Sequence, residues 1–110
     1  MNRFVYVIGT CLFSALALAA TPEVCGILNQ TNVYLAQQCR TAARGKLFEP
    51  GAIHYCAELA QVNGYLAVEC VKAVANKAYS SDELKDCGDQ QSNGYLLNQC
   101  LTSSGTNVCQ

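Results

Sequence analysis

The sequence predicts an all-α fold of two to three disulfide-stapled αα-hairpins, a short helical array following a signal peptide. Three observations predict it. Cysteines fall in pairs (Cys25 with Cys39, Cys56 with Cys70, Cys87 with Cys100), and the first members of successive pairs are 31 residues apart both times. The second cysteine of each pair lies five residues after a tyrosine, Tyr34, Tyr65 or Tyr95. An asparagine stands before each of these blocks, at Asn32, Asn63 and Asn93. Self-similarity at such a fixed period marks stacked supersecondary units.

The N-terminal segment reads as an export signal over residues 1–20. Arg3 supplies a short positive region, Phe4 to Ala19 is apolar, and Ala17-Leu18-Ala19 has the small-x-small pattern of a signal-peptidase site. Cleavage is expected after Ala19 or Ala20. The apolar run is short for a membrane span and lacks a basic stop-transfer flank. Cys11 follows Thr10, which does not suit a lipoprotein signal. The mature chain is expected to be secreted or periplasmic, with a cysteine-rich helical domain over residues 21–102 and a flexible C-terminal tail over 103–110. Without Arg3, six Lys and Arg stand against eight Asp and Glu, a net charge of −2. That balance argues against nucleic acid as a partner. The mature part has no run long enough to span a membrane.

The middle unit shows how a hairpin is built. Pro50 suits the first turn of a helix, where its missing N–H costs nothing. Ile53, Cys56, Leu59 and Ala60 recur at three- and four-residue spacing, one apolar helical face. Asn63-Gly64 breaks the pattern, and the flanking segments do not alternate as strands would. Asn63 therefore reads as the N-cap of a second helix from about Gly64 to Ala78, with Leu66, Cys70, Ala73 and Val74 as its buried stripe. Ser80 caps the next helix, with Glu83 placed for a capping box.

A small exported core with this many cysteines is expected to be held by disulfides. Cys56 and Cys70 each lie ~8–9 Å along their helices from the turn, level with each other. Small neighbours, Ala57, Ala60, Ala67 and Ala73, allow the close approach that a disulfide requires. The intra-unit pairing is thus favoured, but Cys39–Cys56 and Cys70–Cys87 are also regularly spaced, and connectivity stays open at this point. The mature chain keeps seven cysteines, an odd number. Cys109, in the polar tail, is the natural odd thiol, either free or bridging two chains as a homodimer. It could instead pair with Cys100 and leave Cys87 or Cys25 over.

Candidate chemistry is sparse. His54 lies two residues before Cys56, and such positions do not share a helix face. No Cys-x-x-Cys occurs, so neither a thioredoxin-type motif nor a zinc knuckle is present. Asp82, Asp86 and Asp89 share one helix face and lack the alternating loop pattern of a calcium site. Arg40, Arg44 and Lys46 suit a helix C-terminus. Nothing beside Cys109 would lower its pKa for covalent or redox work. No catalytic residue, metal or cofactor is expected.

Plant lipid-transfer proteins and fungal hydrophobins carry adjacent-cysteine motifs that are absent here. Over most of residues 21–110 the architecture resembles secreted bacterial cysteine-rich helical repeats of the Sel1-like type, in which each αα-hairpin carries its own disulfide. Cysteine spacing, repeat length and the glycine-alanine signature differ, so the resemblance is architectural and implies a fold without an activity.

Tyr34, Tyr65 and Tyr95 are the candidate binding residues. They serve either as packing wedges between units or as a row of exposed aromatics, flanked by glutamines such as Gln30, Gln37, Gln38, Gln61, Gln90, Gln91 and Gln99. The expected role is a non-enzymatic module binding a macromolecule whose identity the sequence does not give. Two alternatives are a carrier enclosing an apolar ligand among Leu28, Leu35, Leu59, Leu66 and Leu96, and a secreted toxin or inhibitor. Asn29-Gln30-Thr31 is a glycosylation sequon.

Overall fold

A computed structural model describes residues 17–18 and 22–108. Three helical hairpins follow one another. Helices α1 (Glu23–Asn29) and α2 (Val33–Ala43) form the first, α3 (Pro50–Ala60) and α4 (Gly64–Val74) the second, and α5 (Ser81–Gly88) and α6 (Gly94–Ser103) the third. The first helices pack on one another in one layer and the second helices in another, with α4 seated between α2 and α6.

Local chemistry starts each second helix in the same way. The Asn32 side chain accepts from the Leu35 N–H at 3.1 Å, Asn63 does so from Leu66 at 3.1 Å, and Asn93 from Tyr95 at 3.0 Å and Leu96 at 3.2 Å. Each cap satisfies N–H groups that the helix itself leaves unpaired. Pro50 occupies the first turn of α3, and Ser80 with Glu83 forms the expected capping box on α5.

The disulfides join Cys25 to Cys39, Cys56 to Cys70 and Cys87 to Cys100, one inside each hairpin, with Cα atoms 5.4 Å apart in all three. Cα atoms lie about 2.3 Å off a helix axis, so facing Cα atoms at this distance fit the ordinary ~8–10 Å spacing of helix axes. Ala36 and Ala67 are fully buried three residues before Cys39 and Cys70, and Leu97, also buried, holds that place before Cys100.

A narrow ribbon of four two-residue strands was not anticipated. Its strands are β1 (Ala17–Leu18), β2 (Leu47–Phe48), β3 (Lys77–Ala78) and β4 (Thr106–Asn107), in that order. β2 and β3 run parallel, while β1 and β4 pair antiparallel at the two ends. The cause is a left-handed residue after each second helix: Gly45 at φ +72°, Asn76 at φ +57° and Gly105 at φ +81°. Such a residue turns the chain out of the helix into an extended segment. The segment then buries one side chain against the core, Phe48, Tyr79 or Val108.

Two expectations are corrected by this ribbon. The second helix of the middle unit ends at Val74, not Ala78, because Asn76 adopts the left-handed conformation. Its N–H donates to the Leu47 carbonyl and its side-chain oxygen accepts from the Leu47 N–H, both at 2.8 Å. The tail expected from residue 103 is not free over its described part. α6 runs through Ser103, β4 pairs with β3, and Val108 is buried, its N–H donating to the Asn76 carbonyl at 2.8 Å. Ala17–Leu18 falls within the expected signal peptide and pairs with β2. The rest of that segment and Cys109, with its expected free or bridging thiol, lie outside the described residues.

The units stack through leucine and glycine. A Cβ on Gly64 would stand 2.8 Å from Leu35 Cδ1 and 3.1 Å from Leu28 Cδ2; one on Gly94 would stand 3.0 Å from both Leu59 Cδ2 and Leu66 Cδ1. Each unit thus lays two leucine tips on the bare backbone at the start of the next second helix. Among the described residues no helix packs before the first unit, which carries Val33 at the equivalent position, largely exposed. The third unit carries Gln90 where the others have Leu28 and Leu59. Gly64→Val should therefore destabilise the protein by about 1–3 kcal/mol through overpacking. Val33→Gly should cost no more than about 1 kcal/mol. Urea unfolding of the two variants checks this; equal losses would show that the leucine contact does not set the glycine.

Candidate functional site

Apolar exposure is concentrated at one edge of this fold. Six large hydrophobic residues stand out as exposed among the described residues: Val33 (58%), Tyr34 (65%), Val62 (81%), Tyr65 (69%), Tyr95 (70%) and Leu96 (45%). All six lie in the turns between paired helices or in the first turn of a second helix. They share one edge of the molecule, opposite the end of the second helices where the ribbon begins. Residues 29–39, 59–68 and 90–108 contain no Asp, Glu, Lys or Arg.

Of the two roles the sequence left for the tyrosines, exposure excludes the packing wedge. Tyr34, Tyr65 and Tyr95 each occupy the second position of a capped second helix. Because α2, α4 and α6 pack side by side, this equal position brings the three tyrosines to the same end of the layer, on helices whose axes ordinarily stand ~8–10 Å apart.

Two surface depressions adjoin this edge. One, of about 370 Å³, is lined by Tyr34, Gln37, Gln38, Thr41 and Ala42 on α2 and by Lys72 on α4. The other, of about 270 Å³, is lined by Gln90, Leu96, Gln99, Cys100 and Ser103. Both are open to solvent and rich in neutral amides. Cys100 is half-buried in the second, whereas Cys25, Cys39, Cys56, Cys70 and Cys87 are fully buried.

The other candidate residues are not brought together. His54 is exposed and lies 3.3 Å from Glu58, one helical turn on. The Gln91 amide also donates to the Glu58 carboxylate. Asp82 and Asp86 face solvent on α5, and Asp89 does so in the turn that follows it. Among the described residues no group of three His, Cys, Asp or Glu could hold a metal ion, and no helix is long and apolar enough to cross a membrane. Leu28, Leu35 and Leu59, three of the five expected walls of a ligand cavity, are buried, and their side-chain tips close on Gly64 and Gly94. Leu66 closes on Gly94 as well, and Leu96 lies exposed.

The perturbed titrations belong to a clamp on the C-terminal segment, away from the tyrosines. The Glu83 carboxylate accepts from the Ser80 N–H at 2.9 Å and the Gly105 N–H at 3.1 Å, and these bonds hold its pKa below the ordinary 4.5. Lys77 Nζ donates to the Thr102 carbonyl at 2.7 Å and the Ser104 carbonyl at 2.9 Å, a cation on the C-terminus of α6. The Tyr79 hydroxyl donates to the Leu101 carbonyl at 2.7 Å. Burial, with the Glu83 charge as a lesser cause, pushes that phenol above its ordinary 10.0. Perturbed groups often mark active sites. Here hydrogen bonds that fasten residues 101–105 account for Glu83, and packing against them accounts for Tyr79.

Two outcomes follow from this geometry. Because the folded pKa of Glu83 is depressed, the unfolded chain takes up its proton more readily. Its stabilisation is present above 4.5 and lost as pH falls through the lower folded value. Thermal unfolding followed from neutral to acidic pH should show a steeper loss for the wild type than for Glu83→Gln; matching slopes would uncouple the carboxylate from folding. Thiol reductants need access to a sulfur. Limited reduction and alkylation should therefore open Cys87–Cys100 first, read by mass-spectrometric mapping, and prior release of either other pair would contradict this.

Comparison with models of protein families, with curated proteins and with solved structures finds no match to this chain, so function has to be read from its own surface.

Proposed function

We propose that this chain is an exported, non-enzymatic binding module and that its turn edge is the contact surface. The observation that carries the reading is the placement of all six exposed large hydrophobics on that one edge, three of them tyrosines in equal register. A small protein that leaves apolar and aromatic groups in water on one edge alone has reason to cover them with a partner. Tyrosine brings contact area and a hydrogen-bonding tip with little side-chain entropy to lose. Three disulfides suit an oxidising compartment outside the cytosol, as the expected signal peptide does.

A solvent-exposed tyrosine can be removed with little effect on folding. Tyr65→Ala should change unfolding free energy by no more than about 0.5 kcal/mol. The Tyr34→Ala/Tyr65→Ala/Tyr95→Ala variant should lose the binding that the wild type shows toward extracellular or envelope material of its source. Retention of that binding by the triple variant, at equal stability, would remove the turn edge as the contact surface.

A further inference from the structure

We infer that the turn edge binds an extended, uncharged polysaccharide, with Tyr34, Tyr65 and Tyr95 stacking on successive same-facing sugar rings. This deepens the binding reading above and rests on it. Three properties of the edge point to this ligand class.

The first is the aromatic row. A pyranose ring presents a C–H face that packs on an aromatic ring, and the three tyrosines are exposed at 65%, 69% and 70%. Their separation of ~8–10 Å, set by helices packed side by side, is about two sugar rings of an extended chain. A β-1,4-linked chain turns over at each ring, so every second ring offers the same face. A straight row of three aromatics therefore matches a periodic linear polymer better than a compact small molecule.

The second is charge. Residues 29–39, 59–68 and 90–108 carry no charged side chain. The carboxylates nearest this edge are Glu58, bonded to Gln91, and Asp89 in the third turn; of the cations, Arg40, Arg44, Lys46 and Lys77 lie toward the far ends of the second helices or beyond them, Lys72 stands in the last turn of α4 and Lys85 in the last turn of α5. A polyanion or an anionic lipid surface would call for basic residues at the contact. An uncharged hydroxyl-rich chain does not.

The third is the hydrogen-bonding complement. Gln30, Gln61 and Gln90 are exposed in the three turns, and Gln37, Gln38 and Thr41, with Lys72 at one side, line the depression beside Tyr34. Side-chain amides both donate and accept, as does a sugar hydroxyl.

The test uses the native disulfide-bonded protein in affinity electrophoresis through gels containing soluble β-glucan, xyloglucan or galactomannan, with polygalacturonate as the anionic control, and in sedimentation with insoluble chitin and cellulose. The expected result is retention by at least one neutral glycan, little affected by salt and absent with polygalacturonate. Tyr65→Ala should weaken it at least tenfold, Tyr65→Phe should keep most of it, and the triple alanine variant should abolish it at unchanged thermal stability. Failure of every neutral glycan to retain the protein would overturn the inference, as would salt-sensitive retention. If the triple variant instead loses a protein partner and no glycan is bound, the inference fails while the turn edge stands. Glycan retention that survives in the triple variant sinks this assignment of the site.

Discussion

The approach of two helices to a Cα separation of 5.4 Å at each disulfide is the constraint on which the rest of the structure depends. Ordinary interdigitation of side chains keeps helix axes ~8–10 Å apart, and a chain this short has little apolar volume to fill that gap. Cystine solves both problems. It fills the hairpin interior, and closing a loop of about 14 residues stabilises by roughly 3 kcal/mol through chain entropy. The position three residues before the second cysteine is filled by buried Ala36, Ala67 or Leu97. The cystines share the core with Val24, Val71, Val74, Leu97 and Leu101, while Leu28, Leu35, Leu59 and Leu66 join one hairpin to the next.

That junction sets where glycine is needed. Leu28 and Leu35 close on Gly64, and Leu59 and Leu66 close on Gly94, so a bare backbone is required where a preceding hairpin packs. Among the described residues no helix packs before Val33, which occupies the same position and is exposed. Gln90 stands in the third hairpin where the others carry Leu28 and Leu59. The ribbon is extended by β4, which lies antiparallel on β3, whereas β1, antiparallel on β2, comes from the segment expected to be cleaved on export.

What could be read from the chain was local. Pairing of Cys56 with Cys70, the Asn63 cap, Pro50 in a first turn and the Ser80–Glu83 box each depend on residues a few turns apart, and each is present. The ribbon was hidden because its determinant varies: the left-handed position is Gly45, Asn76 and Gly105, and the buried one Phe48, Tyr79 and Val108. Helical periodicity carried past Asn76 for the same reason, since Asn is tolerated in a helix and nothing nearby shows that Leu47 will pair with it. The signal that could have revealed it was the recurrence of a Gly or Asn three residues ahead of a large apolar or aromatic residue after each second helix. Exposure of the tyrosines was undecidable from spacing alone. A first-turn residue faces either a neighbour or solvent depending on which helix lies beside it.

The two ends of the second helices divide the work of the molecule. At the ribbon end, folding consumes the available groups: Lys77, Tyr79, Glu83 and Asn76 all hold main-chain atoms of another segment. At the turn end, each helix start is satisfied within four residues by its own asparagine, and the stacking leucines need only a bare backbone at Gly64 and Gly94. Neither requirement involves the tyrosine that follows. Its ring is released from any part in the fold, three times over. A surface built this way can change its side chains without disturbing its scaffold, which is the property a recognition edge needs and a packing interface cannot have.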